Sequence, residues 1–238
     1  MTTAKDLFLT AMEPGPGRSV GQGDLSLALA GAELIDLIGA GAVTVDGDRV
    51  VPGGAWAPDD PLLRQAVAEV GRQASPEPIE DWLWRRGRNL SATYQEALEA
   101  DGELTRKRDR RSPFGAGHVE PADTPARVRA ADRRREGEPV LAALASAVGI
   151  GEGLSGGSDD GTEANTGGDG DGDGDGDGTD IDDDGPVDGG PVDGGPDLGD
   201  DAVTAVVAGV HDAVMELEAV RQRRAIEGSA FANLWRGV

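Results

Sequence analysis

The residues with the greatest capacity for chemistry are the arginines between positions 85 and 135. That stretch holds 13 Lys or Arg against 8 acids, a net of +5 in a chain whose formal charge is −23. Arg85, Arg86 and Arg88 stand beside Trp82 and Trp84, followed by Arg106, Lys107, Arg108, Arg110, Arg111 and the run 133–135. Guanidinium groups on a hairpin and a neighbouring helix are suited to binding phosphate of lipid or nucleic acid, because their planar fork donates two hydrogen bonds to one anion. A solvated face paired to Glu96, Glu99 and Asp109 is the alternative, and the sequence leaves both open.

Other chemical patterns are weaker. Gly151, Gly153 and Gly156 match the spacing of a phosphate-binding glycine loop, but an apolar helix precedes them where a strand is required. Asp173, Asp175, Asp177 and Gly178 imitate the opening of a calcium loop, yet no closing Glu follows. The two histidines, His118 and His211, stand in no metal-ligating spacing, and no Ser or Thr sits in a nucleophile-elbow context. Zero cysteines exclude disulfides, thiol catalysis and Cys-ligated metal. The expectation is a protein that is not an enzyme, with no cofactor and no metal.

The charge is unevenly placed. Residues 151–201 hold 18 acids, 18 glycines and no Lys or Arg; outside them 27 acids face 22 bases, a net of −5. Glycine entropy and like-charge repulsion oppose a packed fold there, so 151–201 is expected to be a disordered acidic linker. No apolar h-region opens the chain, and no uncharged apolar run reaches the roughly 18–20 residues of a membrane span. A cytoplasmic protein is expected. Twenty arginines against two lysines fit a GC-rich bacterial genome.

The elements that must position the arginines follow from periodicity. Residues 4–12 read as a short apolar helix. Asp24 is expected to cap a central buried helix through Gly39, with Leu27, Ala30, Gly31, Leu34, Leu37 and Ile38 on one face. Asp46-Gly47 marks a hairpin between 42–45 and 49–51. Asp60-Pro61 starts another helix. Residues 79–100 read as one long amphipathic helix ended by Asp101-Gly102, and 103–120 as a second, Arg-rich hairpin. The succession of helix, glycine and hairpin occurs twice, which would suit two winged-helix-like units. Basic and apolar helices follow at 127–135 and 139–148. Val203, Val207, Val210, Val214 and Leu217 form an apolar seam on a final helix.

LALAGAELIDLIGAGAVTV at 27–45, DPLLRQAVAEV at 60–70, WLWRRGRNL leading to LEADGELTR at 98–106, and the Arg-rich hairpin resemble the Golgi phosphoprotein 3 family. The likeness covers about residues 4–150, and the last helix resembles the family's closing helix. It implies a mainly α, compact helical-bundle domain with one or two short β-hairpins over 1–150 and an amphipathic helix at 202–238 packing back on the domain; the acidic linker at 151–201 has no counterpart in that likeness. Family members in eukaryotes bind phosphatidylinositol 4-phosphate and act as adaptors for cytoplasmic tails of glycosyltransferases. The family's headgroup pocket uses one Trp and three basic residues. These positions fall at Gly21, Ala30, Arg88 and Ser91, of which Arg88 keeps the family's residue type.

The resulting expectation is a non-enzymatic peripheral membrane protein that binds anionic phospholipid headgroups through Arg88, Arg85, Arg106, Arg108, Arg110 and Arg111, with Phe114 at the membrane interface. Cytoplasmic protein tails are the other partner class, and association with the inner face of the membrane and homo-oligomerisation are both compatible with it. A winged-helix DNA-binding regulator and a protein-interaction module without lipid binding are the rival readings. Asp24–Gly39 lacks basic residues, which argues against nucleic acid.

Overall fold

The computed structural model describes residues 2–13, 20–54, 56–73, 75–107, 118–150 and 198–236. Most of the acidic tract lies outside them, together with both glycine and aspartate motifs, Arg108, Arg110, Arg111 and Phe114.

The core is built around α2 (Gln22–Gly39), which is buried on almost every side, from Leu25 to Leu37. Around it lie α1 (Thr3–Met12), α3 (Pro61–Val70), α4 (Ile79–Arg86), α5 (Leu90–Ala100), α7 (Pro139–Ala147) and α8 (Asp201–Arg236). The remaining helix, α6 (Pro125–Arg135), packs on α1. A single apolar cluster joins side chains from α1 through α8, so the fold is a mainly α bundle and not two winged units. A winged-helix reading would also need Asp24–Gly39 or 79–100 as an exposed recognition helix, and α2 is the core itself.

Two small antiparallel sheets edge the bundle. β1 (Val43–Asp46) and β2 (Arg49–Pro52) pair with Asp46 opposite Arg49, and Gly47 takes φ +63° as a two-residue hairpin turn demands. A short β3 (Glu77–Pro78), which carries no strand pattern in the sequence, adds to β2. The second hairpin joins β4 (Leu104–Lys107) to β5 (His118–Pro121), with Lys107 opposite His118.

Three expectations need correction. Asp24 is not the cap of α2: the helix begins earlier, after Gly21, and Asp24 stands in its first turn, where Arg221 of α8 donates to both its oxygens at 2.8 Å. Residues 79–100 are two helices, because Asn89 adopts φ +57°, a left-handed conformation that Asn tolerates and that no helix continues through. The buried line of α8 runs through Val203, Val206, Val210 and Ala213, with Val207, Val214 and Leu217 at its margin. α8 packs against α2, α4 and α7 together, which turns its inward face toward their common groove.

Candidate anion-binding surface

α4 carries the first arginines, and the bundle consumes two of them. Burying α4 against α2 through Trp82 and Leu83 forces Arg86, one turn on, toward the core. There its Nε and Nη2 donate to the two oxygens of Glu33 at 2.7 and 3.0 Å, and its Nη1 donates to Glu69 at 2.8 Å. Tyr94 of α5 donates to the same Glu33 at 3.0 Å. Burial pushes the Glu33 carboxyl above its ordinary range, against the pull of Arg86 and Tyr94. Burial likewise acts to lower Arg86, and Glu33 outweighs it, so the guanidinium is raised and stays charged.

Arg85 continues the network outward. It donates to Glu69 at 2.8 Å and to both oxygens of Glu77, and its guanidinium lies 5.1 Å from the Trp82 ring centroid. The Glu77 hydrogen bond raises it further, ahead of the opposing effect of burial. Two of the arginines that the sequence groups beside the tryptophans are therefore already bound by Glu33, Glu69 and Glu77. These acceptors were missed as partners. The legible signal was Glu33 itself, a lone carboxylate in an otherwise apolar helical run, which needs a buried cation.

Arg88 differs from both. It lies in the α4–α5 turn, is exposed, and makes no ion pair or hydrogen bond with a described side chain. Arg106 on β4 is also largely exposed, and its Nη2 donates to both oxygens of Glu99 at 3.1 Å. Gln95 and then Arg106 hold the Glu99 carboxyl below its ordinary value. Arg88 precedes the first turn of α5 and Glu99, which holds Arg106, lies in its last, so the two arginines stand toward opposite ends of that helix. Neither lines a groove of the described residues.

The α6 arginines face elsewhere. Arg127 pairs with Glu13 at 2.7 Å, while Arg129 and Arg133 grip Asp6 of α1 at 3.1 and 2.6 Å. Arg135 pairs with Asp132. Arg134 is exposed, beside a groove of about 440 Å3 between α1 and α6. The Arg127, Arg129 and Arg133 pairs fasten α6 to α1 and its C-cap.

A larger groove, about 950 Å3, opens between α7 and α8, with Ala142, Ala143, Ser146, Val207 and Ala208 as its walls and His211 at its rim. Among the described residues, no group of three or more His, Asp or Glu side chains is placed to hold a metal ion, and no helix is long and apolar enough to cross a membrane.

The order of these elements, a buried central helix, two hairpins and an Arg-rich α4–α5 turn, has a match. The family model of Golgi phosphoprotein 3 covers residues 4–166. The chain belongs to that family. No curated protein matches the sequence. The match takes in α1 to α7 and ends before α8. Of the four positions that the resemblance leads one to expect at a headgroup pocket, Gly21 caps α2 and Arg88 is exposed. Ala30 is fully buried, its carbonyl accepting the Trp82 indole N–H at 3.2 Å, and Ser91 is buried in hydrogen bonds with Ser26. In this Golgi phosphoprotein 3 family member two of the four expected positions, Ala30 and Ser91, are therefore part of the core.

Proposed function

We propose that this Golgi phosphoprotein 3 family protein is a non-enzymatic adaptor that sits peripherally on an anionic membrane surface, meeting phospholipid headgroups through Arg88, Arg106 and the β4–β5 hairpin. The observation that carries the reading is the contrast within one short stretch. Arg85 and Arg86 are taken up by acids of the bundle, whereas Arg88 is exposed with no side-chain partner among the described residues. A surface cation near an anionic leaflet contributes about 1 kcal/mol, and several close together give salt-sensitive, reversible attachment. Arg108, Arg110 and Arg111 on the same hairpin sequence would add to that field, with Phe114 as the apolar contact. Cytoplasmic protein tails, gathered at that surface, are the adaptor's proposed cargo, and the inner face of the cell membrane its proposed location.

Co-sedimentation with vesicles of neutral lipid, with added phosphatidylserine, and with added phosphatidylinositol 4-phosphate tests the reading. Binding should rise with anionic lipid and fall with salt, and Arg88→Ala with Arg106→Ala should weaken it about tenfold or more. Binding indifferent to lipid charge would overturn it.

A further inference from the structure

The groove of about 440 Å3 between α1 and α6 has no part in the surface of Arg88 and Arg106. Its floor is apolar and small: Leu9 and Ala130 are buried, and Ala131 is half-buried. Its rim is cationic. Arg127, Ala130, Ala131 and Arg134 follow one another at helical spacing on one face of α6, which sets an arginine at either end of the alanine pair. Arg135 joins them in the lining. Against these three guanidiniums the lining has one carboxylate, Glu13, which holds Arg127 at 2.7 Å. Arg135 is 72% exposed, and its pair with Asp132 is a surface pair of the kind that holds a guanidinium weakly. Arg134 is exposed and makes no ion pair or hydrogen bond with a described side chain. The groove thus carries an excess of positive charge over an apolar floor, in a chain whose formal charge is −23.

We infer that this groove is the docking surface for the chain's own acidic tract, residues 151–197. Two observations choose that occupant. The first is charge complementarity: the tract has 16 acids, 17 glycines and no Lys or Arg. Glycine brings no side chain of its own, so a backbone rich in it can follow a shallow groove closely while its carboxylates meet the rim. The second is the tether. The tract leaves the body after Ile150, just beyond α7, and α7 packs on both α1 and α6. A glycine-rich chain of 47 residues has a root-mean-square span of roughly 35–40 Å, more than twice the length of α7, about 14 Å for nine residues. So tethered, the polyanion meets the rim at a roughly millimolar effective concentration, ahead of acidic segments of other proteins. Docked there, its charge is held on arginines other than Arg88 and Arg106. The inference stands on these charges and does not depend on membrane attachment.

Carbodiimide coupling, which joins an ammonium to a carboxylate in direct contact, tests the docking in the full chain carrying Arg134→Lys. Lys5, 2.9 Å from Asp60, is the internal reference, and that pair should couple in every variant. After digestion, mass spectrometry should find position 134 joined to an acid of 151–197. The yield should be about tenfold or more above that of Arg72→Lys, which alters an exposed arginine between α3 and β3, outside the groove. Added salt should lower the yield at 134, while the Lys5–Asp60 pair, 13% exposed on each side, holds its own. Mixing isotope-labelled with unlabelled chains shows whether the joined acids come from the same molecule. No coupling at 134 would overturn the inference, as would coupling only between different molecules. Equal coupling at 72 and 134 would mean a diffuse counter-ion cloud and would also overturn it. Coupling in an Arg88→Lys variant in place of 134 would put the tract on the headgroup surface, with the same result. These yields and the vesicle measurement are read separately, so failure of one leaves the other to stand on its own.

Discussion

Arg86 and Glu33 meet as a two-pronged pair inside the bundle, the guanidinium of α4 closing on a carboxylate of α2 that has no exposure to solvent. Removing one member leaves the other as an uncompensated buried charge, which costs far more than the net value of the pair. Arg86→Ala should therefore destabilise the protein by about 3–5 kcal/mol in urea unfolding. The double variant Glu33→Leu/Arg86→Met should be markedly more stable than Arg86→Ala. Tyr94→Phe, which removes one hydrogen bond to the same carboxylate, should cost about 1.5–3 kcal/mol. A fully tolerated Arg86→Ala would show that the carboxylate is solvated or neutral in solution.

Gly31 of α2 lies directly against Val210 of α8. A Cβ there would lie 2.4 Å from a methyl of Val210, a separation no packed pair of carbons holds. Gly31→Ala should cost about 1–3 kcal/mol through this overpacking, in spite of alanine's better helix propensity. Adding Val210→Ala should recover part of the loss, and a double-mutant cycle measured by urea unfolding would read the coupling directly. Additive effects would mean that α8 does not lie on α2 at this point.

Much of this architecture is written locally, and the exceptions have identifiable causes. Asp60-Pro61 and Asp46-Gly47 each satisfy a specific backbone demand within two residues, so the start of α3 and the first hairpin are readable directly. The break at Asn89 is also local, but an amphipathic pattern continues across it, and periodicity alone favours one helix. The arginine surface is where sequence reading runs short. The stretch 85–135 announces its charge, but whether a guanidinium faces solvent or Glu33, Glu69 or Asp6 depends on contacts that span from 16 to more than 120 positions. β3 escapes for a similar reason, since two residues carry no period and become a strand only because β2 offers an edge.

Asp36 gives the fold a pH dependence of unusual sign. Its Oδ1 accepts the backbone N–H of Thr3 at the start of α1, while its Oδ2 is buried without a partner. Burial raises its carboxyl above the ordinary 3.8, outweighing the Thr3 hydrogen bonds and Arg133. A raised carboxyl contributes stability that is fully present below the unfolded value and is lost as pH rises through the folded one. Asp36→Asn keeps the acceptor for Thr3 and removes the titration. The variant should gain on the parent as pH rises from 4 toward 7, by about 1 kcal/mol for each unit of the shift. A gap that stays constant with pH would place the dependence elsewhere.

Asp60 should show the opposite slope. Its Oδ1 accepts the N–H groups of Leu62 and Leu63 as the cap of α3, and its other oxygen lies 2.9 Å from the Lys5 ammonium on α1. Burial alone would raise this carboxyl, but the Lys5 and backbone hydrogen bonds prevail and it is lowered. A lowered carboxyl contributes stability that is present above the unfolded value and is lost as pH falls through the folded one. Asp60→Ala removes the cap and the pair together and should cost about 1–2 kcal/mol at neutral pH. Asp60→Asn keeps an oxygen for the cap and should fall between the alanine variant and the parent, its deficit closing as the pH drops below about 4. Urea unfolding of the Asp36 and Asp60 amide variants side by side, from pH 3 to 7, separates the two effects. One gap widens in favour of the variant as pH rises, and the other widens against it. Gaps that move together would mean that a shared change in net charge, and not these two local environments, governs the pH response.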